Sequence, residues 1–172
     1  MIKRVAVTGP ESTGKSMLAK KLAEHFQTVW VPEYAREYLE KKQSKYDLDD
    51  ILNIAMGQLE REEKMVANAD HFIFCDTELL VTKIWAEHAF GHCPAWIREN
   101  LTAHLYDLYL LCDIDLPWEA DPLREHPHLR DYFFNLYAGE LDAMGVSYAV
   151  VRGMHEERFE CAINHIRYHF NL

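Results

Sequence analysis

The chain has 172 residues, 49% of them hydrophobic and 27% charged, enough to build one core in one domain. Its 28 acidic against 18 basic residues leave a formal net charge of −10, which disfavours non-specific nucleic-acid binding and suits a neutral or cationic small molecule. No apolar run reaches membrane-span length, the start MIKRVAVTGP is no signal peptide, and Cys75, Cys93, Cys112 and Cys161 match no zinc pattern, so a cytoplasmic protein with no membrane or nucleic-acid partner is expected.

In chain order, Arg4–Thr8 reads as a first buried strand, followed by a glycine loop and a helix with its stripe at Leu18, Leu22, Ala23 and Phe26. A second strand is expected at Thr28–Val31 and a long helix over Leu48–Ala69. Phe72–Asp76, Leu108–Asp113 and Ser147–Val151 complete five strands. Helical patterns fill the intervals at Leu79–Phe90, Trp96–Leu105, Tyr132–Met144 and Arg158–Phe170. Several of the strands are continuously apolar, as strands covered on both faces are. Strands separated by helices imply parallel pairing through right-handed crossovers, hence a three-layer α/β fold with a five-stranded parallel sheet. Residues 116–130, with three prolines, read as a loop or short helical flap.

The strongest motif is Gly9-Pro10-Glu11-Ser12-Thr13-Gly14-Lys15-Ser16, the pattern G-x-x-x-x-G-K-[ST]. Chance yields it in roughly one chain of this length in a few hundred, and here a buried strand precedes it and a helix begins at its lysine. The glycines let successive backbone N–H groups turn toward phosphate oxygens, and the helix adds its positive end. Lys15 is expected at the β- and γ-phosphates and Ser16 at Mg2+, with Met17 continuing the cradle.

Phosphoryl transfer also needs an acid and an acceptor pocket. Asp76 stands at the carboxyl end of a buried strand, the edge where ligands bind in an open parallel sheet. It is expected to hold Mg2+ through water or to take the acceptor's proton; the competing reading is a helix cap. Glu33, Tyr34 and Arg36 follow the second strand at the same edge, a set suited to ribose hydroxyls and a heteroaromatic ring. Their competing reading is the start of an amphipathic helix. In the flap, Arg124 and Arg130 are candidate clamps on the migrating phosphate.

Other motifs fail. His88/His92 and His165/His169 have i,i+4 spacing but no third ligand. His88-Ala89-Phe90-Gly91-His92 is one residue too long for the HxGH signature of nucleotidylyl transfer. No Asn-Lys-x-Asp run exists to read guanine.

Taken together, GPESTGKS, PEYAREYL, the pair Gly57-Gln58 in the long helix, FCDTELLVTKIW and LYLLCDIDLPWEADPLRE resemble one family in order and spacing. It is the ribosylnicotinamide (nicotinamide riboside) kinase domain at the C-terminal end of bacterial bifunctional NAD-biosynthesis regulators. The resemblance covers nearly the whole chain and implies a nucleoside-monophosphate-kinase-like P-loop domain over residues 1–172, with a lid at about 116–130. It also implies ATP and Mg2+, and the 5′-hydroxyl of nicotinamide riboside as acceptor. Carried over by position, Lys15 and Ser16 serve phosphates and metal, Asp76 is the metal or base acid, and Arg124 belongs to the lid. Glu33, Tyr34 and Gln58 fall where substrate contacts are implied.

Pro32 departs from the Trp frequent in that family, which leaves Tyr34, Tyr38 and Trp85 as candidate rings against the acceptor. The chain reads as a stand-alone kinase or a fragment of a longer one, and Met1 directly before the first strand favours the former. The rival readings are a P-loop kinase for another acceptor and a nucleotide-dependent switch module.

Overall fold

The computed structural model describes residues 2–42 and 44–172; Met1, on which the stand-alone reading rests, lies outside them. Twelve elements are described: β1 (Lys3–Thr8), α1 (Lys15–His25), β2 (Val29–Val31), α2 (Tyr34–Lys41), α3 (Leu48–Val66), β3 (Phe72–Asp76), α4 (Leu79–Phe90), α5 (Ala95–Ala103), β4 (Leu108–Cys112), α6 (Arg130–Met144), β5 (Tyr148–Val151) and α7 (His155–Phe170). The strands form one sheet in the order β2-β3-β1-β4-β5, and every pair is parallel.

Period-two alternation divides the strand residues between two cores. Val5 and Val7 of β1 point with Phe74 and Leu110 toward α1 and α7, against Leu18, Leu22 and Ile163. Ala6 points the other way with Ile73, Cys75 and Leu111, toward Ile51, Leu80, Ile97 and Leu141 of α3 to α6. Both faces of the sheet are therefore covered, which explains strands that are apolar without a break. No helix among the described residues is long and apolar enough to cross a membrane.

One local expectation changes and another narrows to one of its two alternatives. Tyr34–Lys41 is a helix of its own, absent from the set of apolar stripes because none of its residues is fully buried. The flap contains no helix before Arg130, where α6 begins. Its prolines at 117, 122 and 127 remove backbone donors at close intervals and hold the chain open.

Because the sheet is parallel, Thr8, Val31, Asp76, Cys112 and Val151 end their strands at one edge. β1 is central, flanked by β3 and β4, so the strand order reverses beside it and a crevice opens there.

Candidate active site

The cradle leaves β1 through Gly9, whose φ is +129° and whose added Cβ would lie 2.9 Å from the Cys112 carbonyl oxygen. Only glycine fits that turn. Gly14, at φ +76°, caps α1 without a side-chain hydrogen bond, and no acid occupies the first turn. The first N–H groups of α1 are thus left for an anion. Lys15 Nζ donates to the Gly9 and Pro10 carbonyls at 2.9 and 2.7 Å, folded back into its own loop. Ser12 and Thr77 both hold left-handed backbone, at φ +57° and +65°. Each such residue costs ~1–3 kcal/mol, the strain that gathers at functional sites.

Asp76 closes β3 at 1% exposure, and among the described residues its Oδ1 finds no hydrogen-bond partner. Burial pushes its carboxyl above the usual range, while the Ser16 hydroxyl and Lys15 ammonium pull it down. Glu33 precedes α2 as its N-cap but makes no capping bond with its side chain. Its carboxyl is also pushed up, by burial first and by the Asp76 charge second, with Lys15 and Arg36 opposing. Two carboxylates at the ends of neighbouring strands thus lie near enough for the charge of Asp76 to raise Glu33; Glu33 lines the cavity beside the cradle, and Asp76 lies buried behind its lining.

The cradle opens into a cavity of about 910 Å³ lined by Gly9–Met17, Glu33, Arg36, Trp85 and Arg124 among others. Its far wall is aromatic. Tyr46 meets Trp85 edge-on at 4.9 Å, and His88 meets His126 and Phe133 each at 4.8 Å. As cavity residues Tyr46, His88, Phe90, His126 and Phe133 were not anticipated, His88 having been weighed only as a metal ligand or nucleotidylyl-transfer motif. They come from four separate segments, and no spacing in the chain announces that they meet.

Two expected contacts sit behind the wall instead. Tyr34 lays its ring over Gly57, with the Arg61 guanidinium 4.8 Å from its centroid, and does not line the cavity. Gln58 is 3% exposed and fully engaged. Its Oε1 accepts the Tyr34 N–H at 2.8 Å, and its Nε2 donates to Glu62 and to the Thr77 carbonyl. Tyr38, likewise, donates to Asp50 at 2.8 Å. Glu62 is held from the other side by the Tyr106 hydroxyl at 2.6 Å. Gln58 thus ties the start of α2 to the end of β3 from below. The backbone positions Glu33 and Asp76 through it, and no amide group is left for a ligand.

The flap lies over the cradle. Glu11 accepts the N–H groups of Glu125 and His126 at 3.1 Å each, and Ser12 Oγ accepts that of Glu119 at 2.8 Å. Arg124 Nη1 donates to the Glu119 carbonyl within the lid and to Ser12 Oγ at 3.4 Å. Arg36 reaches up to Asp121 at 3.1 Å. Arg130 is otherwise occupied: its Nη2 donates to the carbonyls of Ser12, Ile114 and Leu116, bracing the hinge. Beneath the loop, Arg158 at 4% exposure bonds Asp115 and the Thr13, Asp113 and Gly153 carbonyls. It carries no motif and was invisible in the sequence.

This geometry agrees with known proteins. Residues 4–158 match the family model described as AAA domain, AAA_28. Over 127 residues the chain is 31% identical to the trifunctional NAD biosynthesis/regulator protein NadR of Salmonella typhimurium, and equally to that of Escherichia coli K12. The match covers 72% of this chain and 31% of each relative, so the chain spans about a third of their length. Among solved structures, NadR protein in complex with NR superposes with a TM-score of 0.83 at 22% identity, over 99% of this chain and 52% of that one. A deoxyadenosine kinase from M. mycoides superposes at 0.69 and 12% identity, over 96% and 99%. These likenesses show a nucleoside-kinase-like P-loop fold. With the matched model spanning most of its length, the chain belongs to the AAA_28 family of AAA domains.

Proposed function

We propose that this protein transfers the γ-phosphoryl group of ATP to the 5′-hydroxyl of nicotinamide riboside, giving nicotinamide mononucleotide. We read residues 1–172 as one kinase domain acting in the cytoplasm, with 116–130 as its lid. The observation that carries the proposal is the continuity of one cavity, from an uncapped phosphate cradle, past Glu33, to an aromatic chamber. The similarity to NadR supports the choice of acceptor.

The cradle would take the triphosphate on the N–H groups of residues 11–16 and on Lys15, once Lys15 leaves the Gly9 and Pro10 carbonyls. Arg124, at the lid's inner face, stabilises charge spreading over the equatorial oxygens of the transferring group. Arg130 holds the hinge that presents it. The buried, unpartnered oxygen of Asp76 beside the Ser16 hydroxyl fits a divalent cation. Ser16 and Asp76 would hold Mg2+, which neutralises phosphate charge when bound. Asp76 or Glu33, both with raised carboxyls, receives the hydroxyl proton, and Glu33 orients the ribose. The acidic pair and aromatic wall suit a cationic pyridinium ring. Closure of the lid excludes water that would otherwise hydrolyse the donor.

A panel of nicotinamide riboside, uridine, thymidine, adenosine and shikimate with ATP tests the proposal. Phosphorylation of nicotinamide riboside well above the other acceptors is expected. Turnover of a different acceptor, with nicotinamide riboside at background, would overturn it.

A further inference from the structure

In a phosphate-binding loop the side chains between the glycines are commonly free to vary, because the backbone does the binding. A carboxylate there is unfavourable a priori, since it adds negative charge beside a triphosphate. Glu11 occupies such a position, and its side chain is turned away from the cradle to the lid. Its Oε2 accepts two consecutive backbone N–H groups, those of Glu125 and His126, both at 3.1 Å, and its Oε1 lies 3.3 Å from the first. These residues follow Arg124 directly. Ser12 makes the neighbouring stitch, accepting the Glu119 N–H and standing 3.4 Å from Arg124 Nη1.

We infer that Glu11 is a positioning residue: it latches the lid onto the cradle so that Arg124 stands over the transferring phosphate. The inference rests on the kinase reading above for its catalytic consequence but on geometry for the latch itself. A charge-assisted bond to two adjacent N–H groups fixes both the position and the direction of the preceding residue, as a backbone nest fixes an anion. Arg130 cannot do this alone, since its three carbonyl partners lie at Ser12, Ile114 and Leu116, none of them at the lid tip. The lid is therefore held at its hinge by Arg130 and at its tip by Glu11. The cradle's backbone N–H groups remain available for phosphate.

The latch predicts a separation of binding from turnover. Glu11→Ala leaves the cradle's backbone intact, so KM for ATP should move less than about threefold while kcat falls about tenfold or more, the pattern of a lost lid-closing contact. ATP hydrolysis without acceptor transfer should rise relative to phosphorylation. Glu11→Gln keeps one carbonyl acceptor and should recover part of the loss. Amide hydrogen exchange on the ligand-free protein reads the latch directly. Over the segment 119–130, exchange at Glu125 and His126 should accelerate about tenfold in Glu11→Ala and less in Glu11→Gln, with the thermal midpoint unchanged. Unchanged exchange at those two amides would overturn the latch, whatever the acceptor. Accelerated exchange with unchanged kcat and a raised KM for ATP would overturn the positioning role and return Glu11 to phosphate binding. If nicotinamide riboside proves not to be the acceptor, the exchange result stands by itself and the kinetic arm moves to the acceptor that turns over.

Discussion

The glycine-loop cradle and the aromatic chamber, the proposed sites of triphosphate and acceptor, meet in one cavity but are built in opposite ways. The cradle is one run, Gly9–Ser16, whose proposed binding groups are mostly backbone N–H groups set by two positive-φ glycines and a helix start. The chamber takes Glu33 from the start of α2, Tyr46 from the loop before α3, Trp85 and His88 from α4, His126 from the lid and Phe133 from α6. The first is local and tolerant of its surroundings. The second exists only because distant elements are held in register by buried contacts such as Gln58 and Arg130. A ligand that needs only charge can be held by a local loop, whereas reading a ring and a ribose needs the fold.

Perturbing each region separately tests that contrast. The largest effect should come from Lys15→Ala, which removes the only side-chain cation of the loop and should lower kcat by about 10²–10³, measured by steady-state phosphorylation. Lys15 bonds two carbonyls of its own loop and its charge opposes those of buried Asp76 and Glu33, so a modest loss of stability should accompany the kinetic effect.

Glu78 tests the joint between the regions. It accepts from Thr8 Oγ1 at 2.9 Å and from the Leu80 N–H at 2.5 Å, below the cradle, and burial pushes its carboxyl up to about 7. In the unfolded chain it ionises near its ordinary 4.5, so the unfolded state loses its proton first. Stability should therefore fall as pH rises from about 4.5 to 7 and level off above. In Glu78→Gln that part of the slope should vanish, a change of up to about 3 kcal/mol across the window, read by urea unfolding at several pH values. A parallel slope in the variant would assign the pH dependence to other groups.

Gly57→Ala breaks the chamber's support. An added Cβ would lie 2.2 Å from Tyr34 Cε1, so the ring and the start of α2 must shift. A loss of about 1–3 kcal/mol is expected, with KM for the acceptor rising more than KM for ATP. Equal changes in both would show that the two regions are not separable. The smallest effect should come from Trp85→Ala at the chamber wall, raising acceptor KM about tenfold with kcat nearly kept, by kinetics at saturating ATP.

Much of the frame was legible in the chain. The five strands were placed within a residue or so at each end, and Leu79–Phe90 coincides with α4, because continuous apolar runs and helical stripes report burial directly. Asp76 was legible for a related reason: a carboxylate directly after four apolar strand residues stands out. Tyr34 and Gln58 were placed at the right edge but on the wrong side of the wall. Their sequence position gave the element, and only packing against Gly57 and Glu62 gave the direction of the side chain. The two lid arginines, either of them a candidate clamp by sequence, divide likewise: Arg130 turns to three carbonyls, whereas Arg124 reaches Ser12 of the cradle.

By itself, then, the sequence determined the strand–loop–helix cradle, the parallel sheet and the acid at its edge. Each rests on local backbone rules or on the period of burial, which neighbouring residues carry. Only the tertiary structure decided which aromatics face the cavity, which lid arginine lines it, that Arg158 props the loop and that Glu11 reaches the lid. Those are contacts between residues far apart in the chain, and their energies depend on where the sheet brings the ends of its strands.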